Sequence, residues 1–98
     1  MRIEIHPLAT AELEKSTRWY AKRSVVASLG FVAAVADGIA KITATLDRYA
    51  KVDRRFRGCS LVRYPFQLVY RFDAERIQVI AIAHAKRRPG YWKRRNLD

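Results

Sequence analysis

The residues of this chain best suited to chemistry are the cations and aromatics near its C-terminal end. Six Lys or Arg side chains and two large aromatics fall between residues 84 and 95, and the next acid is Asp98. Such a segment cannot form a core by itself, so it is either solvated or contacts a polyanion. Cations can stabilise the phosphorane formed when a 2′-hydroxyl attacks RNA, and aromatic rings can stack on bases.

Three of these residues have a structural alternative to a functional role. His84 follows an apolar strand and could act as a general base, although a histidine there more often bonds backbone and fixes the turn. Tyr91 and Trp92 could stack on bases, or they could fold back as a lid on the core. The sequence leaves both alternatives open.

The net charge of +11 is carried mainly by the second half of the chain. Residues 1–49 hold seven bases and five acids, a net +2, whereas residues 50–98 hold thirteen bases and four acids, a net +9. This imbalance favours nucleic acid, a nucleoprotein machine or an acidic protein as partner.

Other classes of site are disfavoured. The two histidines, His6 and His84, lie 78 positions apart with no cysteine or carboxylate at ligand spacing, so we expect no metal and no cofactor. Isolated glycines exclude a phosphate-binding loop, and Cys59 is the only cysteine, which excludes an internal disulfide. The N-terminus does not resemble a secretory signal, and no apolar run reaches the ~20 residues that span a bilayer. We therefore expect a cytoplasmic protein with no membrane contact.

Hydrophobic periodicity predicts the elements that position the tail. A short strand at Ile3 and Ile5 precedes a helix from Pro7 to about Ser24, with Glu12 among its water-facing residues. A second helix carries the inward stripe Phe31, Val35, Ile39, Ile42 and Leu46. Together they predict an antiparallel helical hairpin with one shared apolar face.

A sheet is expected to cover that face. Three strands are predicted between residues 59 and 84, the last of them interior because neither of its faces is polar. Residues 49–58 are predicted as a long polar loop, which brings Arg54, Arg55 and Arg57 to the electropositive side. The expectation is one α+β domain over residues 1–98: an N-terminal strand, and a helical hairpin on a mostly antiparallel four-stranded sheet with a basic C-terminal tail.

Over nearly its whole length the chain resembles the RelE/ParE superfamily of toxins from bacterial type II toxin-antitoxin systems. The first part of the resemblance rests on Pro7, Ala9, Glu12, Leu13, Trp19, Tyr20, Leu29, Gly30 and Phe31. The second part rests on Arg63, Tyr64, Pro65, Phe66, Val69, Tyr70 and Arg71, and above all on His84, Arg87, Pro89, Tyr91, Trp92 and Arg95. Each piece is weak by itself, whereas all of them in order are specific.

The resemblance implies a growth-inhibiting toxin, associated with plasmid stabilisation, that a cognate antitoxin neutralises by wrapping it in a hetero-oligomeric complex. Its ribonuclease branch typically places lysines on the second strand and an Arg after the aromatic that opens the third. Here those places hold Gly58, Ser60 and Gln67. The leading hypothesis is therefore a ParE-like toxin that inhibits DNA gyrase without hydrolysis.

Two alternatives remain. One is a metal-independent endoribonuclease acting on mRNA at the ribosome, with Arg87, Tyr91, Arg63 and His84 as candidate catalytic residues. The other is a non-toxic basic module that binds nucleic acid. The predicted residues for binding the target or another anion are Arg54, Arg55, Arg57, Lys86, Arg87, Arg88, Trp92 and Arg95. Among them Arg87 is predicted as an anion contact, and the indole of Trp92 as a positioning plate or lid.

Overall fold

A computed structural model describes residues 1–95 of the chain. The elements are β1 (Arg2–Ile5), α1 (Pro7–Ala21), α2 (Val25–Ala44), β2 (Lys51–Asp53), β3 (Phe56–Ser60), β4 (Phe66–Phe72) and β5 (Arg76–His84). The predicted α+β class with two consecutive helices after a first strand is confirmed.

The strands form one mixed sheet of five strands in the order β1-β5-β4-β3-β2. β1 is parallel to β5, and the other neighbours are antiparallel. The predicted count of four strands is wrong, because residues 49–58 contain β2 and the start of β3 rather than a loop. β2 has only three residues, too few for a period-two pattern to stand out. β5 lies between β1 and β4, so its predicted interior position is confirmed.

Side-chain caps set the boundaries of the two helices. The His6 Nδ1 accepts a hydrogen bond of 3.0 Å from the Leu8 N–H at the start of α1. The predicted end of α1 near Ser24 is three residues late, because Ser24 caps α2 by accepting a bond of 3.1 Å from the Ala27 N–H. The turn between the helices is therefore short, as the hairpin requires.

The inner side of α2 packs on the sheet. Phe31, Val35 and Ile42 are buried in one cluster with Leu68 and Tyr70 of β4. By length and composition alone α2 could also cross a bilayer, although the sequence predicts no such segment. The packing of its inner side on the sheet identifies it as the helix that covers the core, with an apolar outer side that remains exposed at Val25, Val26, Leu29 and Val32.

Candidate functional site

The C-terminal tail covers the face of the sheet that the helices leave open. Trp92 is 4% exposed and lies edge-on to Phe56, with ring centroids 4.9 Å apart. Both rings belong to a second buried cluster, which contains no helix residue. The tail therefore folds back as a lid, and Trp92 is part of the core. The enclosed ring favours the lid over the external anion contact that the sequence also predicts for Trp92.

The sheet has a gap beside the tail, because β1 is much shorter than β5. The last residue of β1, Ile5, is aligned with Val79, and β5 continues to His84 with no further neighbour on that side. Opposite β4, Ile80 forms a bulge: Val79 and Ala81 are aligned with consecutive residues of β4, and Ile80 with none. The backbone groups of β5 beyond the end of β1 need other partners.

Glu12 and Arg95 supply those partners. The Glu12 Oε1 accepts a bond of 3.0 Å from the Ile82 N–H, and the Arg95 Nη1 donates one of 3.1 Å to the Ile80 carbonyl. Arg95 also holds both carboxylate oxygens of Glu12 at 2.9 Å, and the Tyr91 hydroxyl donates to the Oε2. This cluster, the Glu12 clamp, ties α1, β5 and the tail together in place of a missing strand.

The Glu12 clamp bears on two expectations, for Glu12 and for Arg95. Glu12 does not face water: its side chain is 15% exposed, and that of Arg95 is 12% exposed. Arg95 is therefore bound internally, which favours a structural role over the target contact that the sequence predicts for it. The sequence does contain a signal for the burial of Glu12. This residue lies three positions after Ala9 and one before Leu13, which places it on the inward stripe of α1.

The environment of Tyr91 defines what its hydroxyl can do. Burial, and then the hydrogen bond to Glu12, raise the pKa of Tyr91 far above its usual 10.0. The phenol is therefore protonated at neutral pH and acts as a hydrogen-bond donor. It is not the base that a ribonuclease would need.

Two further cations hold the structure together. The Lys93 Nζ lies 3.0 Å from the Asp53 Oδ2, which joins the tail to β2, and the hydrogen bond from Lys93 lowers the pKa of Asp53. The Arg57 Nη1 donates to the carbonyls of Asp47 and Tyr49 at 3.0 and 2.8 Å. Arg57 thus fixes the loop between α2 and β2, and its predicted role in anion binding stays a prediction.

Six of the predicted cations are exposed instead, and among residues 1–95 none of the six forms an ion pair. They are Arg54, Arg55, Arg63, Lys86, Arg87 and Arg88. The first two lie at the turn between β2 and β3. The Arg87 guanidinium lies 3.9 Å from the centre of the Tyr91 ring, so the Glu12 clamp also orients Arg87.

An open cleft of about 620 Å³ lies between α1 and the start of the tail. Aromatic side chains contribute to its lining, and cations are placed around them: Lys15, Trp19, Tyr20, Phe66, Lys86 and Arg87. His84 also lines the cleft, with its Nδ1 accepting a bond of 3.0 Å from the Lys86 N–H. That bond fixes the turn after β5, which is the structural alternative that the sequence offers for His84.

The candidate catalytic residues are brought together only in part. His84, Arg87 and Tyr91 line the cleft, whereas Arg63 lines neither it nor the smaller neighbouring cleft of about 440 Å³. Within residues 1–95 there is no group of three His, Cys, Asp or Glu side chains that could hold a metal ion. The arrangement is suited to binding an anion beside an apolar surface.

Comparisons with known proteins give a family and a fold. A family model described as the ParE toxin of the type II toxin-antitoxin system parDE matches residues 3–89. No curated protein matches the chain. A solved structure, described as the chromosomal ParDE toxin-antitoxin system from P. aeruginosa, is similar with a TM-score of 0.74 at 18% identity, covering 88% of this chain and 97% of that one.

Proposed function

The chain belongs to the ParE toxin family, and on that premise we propose that it inhibits growth by binding its target through the exposed cations at the start of the tail. It is a toxin of a type II toxin-antitoxin system. The observation that carries the proposal is the division of the basic residues: Arg95 and Lys93 anchor the tail, and Lys86, Arg87 and Arg88 stay exposed beside an apolar cleft.

The proposed inhibition is non-hydrolytic, with DNA gyrase as the target class that the resemblance implies. The support is chemical. Tyr91 is a protonated donor, and the Glu12 carboxylate is neutralised by Arg95, so neither is an available base. Exposed cations without such a base can bind an anionic surface, and they accelerate the encounter with it.

The second candidate is cleavage of mRNA. One observation favours it: His84, Arg87 and Tyr91 line the same cleft. In this alternative Arg87 would stabilise the phosphorane. Because the His84 Nδ1 accepts the Lys86 N–H, the neutral ring carries its proton on Nε2, so His84 could act as the base only through Nδ1 and only after that backbone bond had broken.

The two functions are separated by adding antitoxin-free protein to a gyrase supercoiling reaction and to a coupled translation reaction. The proposal predicts slower supercoiling with intact message, and loss of the effect in Arg87→Ala. Arg18→Ala, an exposed arginine of α1, is the matched control and should inhibit normally. Unaffected supercoiling together with cleaved message would replace the proposal by the second candidate.

A cytoplasmic location and neutralisation by a cognate antitoxin in a hetero-oligomer are part of the same proposal. A chain with net charge +11 favours an acidic partner, because complementary charge accelerates association and disfavours partners of like charge. Coexpression with the neighbouring open reading frame tests this: growth should recover, and the two proteins should copurify. If growth stays arrested while the neighbouring reading frame is expressed, its product is not the antitoxin of this chain.

A further inference from the structure

The open edge of the sheet at β1 is a second interaction surface, separate from the tail. The Arg2 N–H bonds to the Glu75 carbonyl at 3.1 Å, and the His6 N–H bonds to the Val79 carbonyl at 2.9 Å. Since backbone groups alternate along a strand, Ile3 and Ile5 direct their N–H and C=O groups away from β5. β1 ends the strand order, so these groups have no strand neighbour within the sheet.

The two faces of β1 differ sharply in polarity. Met1, Ile3 and Ile5 share one face and are 63%, 42% and 40% exposed. Arg2 and Glu4 share the other face. The opposite edge strand, β2, has only three residues and an irregular register with β3, features that protect an edge from pairing. β1 is one residue longer than β2, and its register with β5 is regular over all four residues.

We infer that β1 pairs antiparallel with β1 of a second copy of this chain, about a twofold axis at Ile3. In that register Ile3 lies opposite Ile3, and their outward N–H and C=O groups form a hydrogen-bonded pair. Arg2 of each copy lies opposite Glu4 of the other, and Met1 lies opposite Ile5. The strand is therefore complementary to itself in charge and in apolar side chains.

The neighbouring registers are disfavoured by charge. Moving the axis to Glu4 places two Glu4 carboxylates opposite each other, and moving it to Arg2 places two Arg2 side chains opposite each other. Like charges directly opposite each other destabilise a strand pair. In a third kind of register the twofold axis falls between two residues. The outward N–H and C=O groups of Ile3 or Ile5 would then lie opposite residues whose own backbone groups are already bonded to β5.

The net charge of the chain does not prevent this pairing. The excess lies in residues 50–98. The exposed cations of the tail begin after His84, seven residues along β5 from Ile77, the neighbour of Ile3, which is roughly 23 Å. Arg54 and Arg55 are at the turn that joins β2 to β3, at the far edge of the sheet. Four strand spacings separate β1 from β2, roughly 19 Å, which exceeds the screening length of about 8 Å at physiological salt. The contact involves few residues, so the dimer should dissociate reversibly on dilution.

The test is sedimentation velocity of antitoxin-free chain without an N-terminal tag, measured from low micromolar to several hundred micromolar concentration. The expected result is a concentration-dependent dimer. Arg2→Glu should raise the dissociation constant about tenfold or more, because the twofold axis doubles the effect of each change. Arg2 is largely exposed, so thermal unfolding of this variant should match the parent.

Two further samples distinguish this interface from nonspecific association. Glu4→Lys should weaken the dimer, and an equal mixture of Glu4→Lys with Arg2→Glu should restore it, since unlike charges then face each other. Glu4 also pairs with Arg76 at 2.8 Å within the chain, so thermal unfolding of Glu4→Lys is measured beside its sedimentation. Val26→Lys changes an apolar side chain of α2 that is 79% exposed, and it should dimerise normally. A parent chain that stays monomeric, or a dimer lost in Val26→Lys and kept in Arg2→Glu, overturns the inference.

Discussion

Arg87 and Arg95 belong to the same basic segment, eight residues apart, but their surroundings are opposite. Arg87 is exposed beside the cleft, where its guanidinium lies over the Tyr91 ring. The side chain of Arg95 is 12% exposed and is held by both oxygens of Glu12. One cation is free to meet a target, and the other holds the tail to the sheet.

The comparison shows that a cation's availability is set by acids and carbonyls distant in the sequence. Glu12 precedes Arg95 by 83 positions, and Asp53 precedes Lys93 by 40. Both acids are far from the tail in the sequence, so counting the charged residues of the tail segment alone misses them. The following predictions test whether the anchored and exposed residues differ as the structure implies.

Trp92→Ala should have the largest effect on folding. Its ring is 4% exposed, and removal of a buried Trp costs about 3–5 kcal/mol of unfolding free energy. Denaturant unfolding followed by circular dichroism measures this loss. The matched control is Trp19→Ala, where the residue is 51% exposed and the expected loss is about 1 kcal/mol or less. Equal losses in the two variants would mean that the tail does not cover the sheet.

Glu12→Gln should have the next largest effect. The substitution keeps the shape of the side chain but removes the charge that holds Arg95. It also replaces one acceptor oxygen by an amide N–H₂, which faces a group that itself donates a hydrogen bond. The expected loss is about 2–3 kcal/mol of unfolding free energy, in the range for a hydrogen-bonded charged group. Glu14→Gln, an exposed acid of the same helix, should change stability by no more than about 0.5 kcal/mol. A stable Glu12→Gln variant would show that the Glu12 clamp does not hold the tail.

Tyr91 should make stability sensitive to alkaline pH. Its pKa is raised in the folded state, so the folded chain binds the phenolic proton more tightly than the unfolded chain does. This contribution is complete below pH 10.0, the usual pKa of the group, and is lost as the pH rises above it. Unfolding free energy should therefore fall less steeply with alkaline pH in Tyr91→Phe than in the parent. Parallel slopes for the two proteins would contradict both the burial of the Tyr91 hydroxyl and its hydrogen bond to Glu12.

The helices and the longer strands could be predicted from the sequence because their signals are local. The stripe that begins at Phe31 repeats over several turns of α2, and the alternation in β4 extends over seven residues. β2 escaped prediction because Val52 is its only apolar residue. β1 was predicted as a strand, but its parallel pairing with β5 depends on a neighbour more than seventy residues away in the sequence.

The candidate site could be predicted only as a region. The cluster of cations after His84 located it, and the composition of that segment indicated an anionic partner. Which cations remain available depends on the bulge at Ile80 and on the gap beyond β1, where Glu12 and Arg95 bond to β5. No periodic pattern in the sequence reports such a gap, so residue type alone places Trp92, Arg95 and Arg57 at the surface.

Arg87→Ala should have the smallest effect on folding and a large effect on toxicity. It removes one stacking contact on an exposed ring face, worth about 0.5–1 kcal/mol. Arg57→Ala is the comparison variant with the larger expected effect on folding. It deprives the Asp47 and Tyr49 carbonyls of their hydrogen-bond donor and should lower the unfolding free energy by about 1–2 kcal/mol. Growth on induction, measured beside thermal unfolding, compares the two variants. If Arg87→Ala restores growth only by unfolding the protein, Arg87 joins the anchored residues and the division between the two ends of the tail fails. If it restores growth in a folded protein, the anchored residues fix the tail and the exposed ones act on the target.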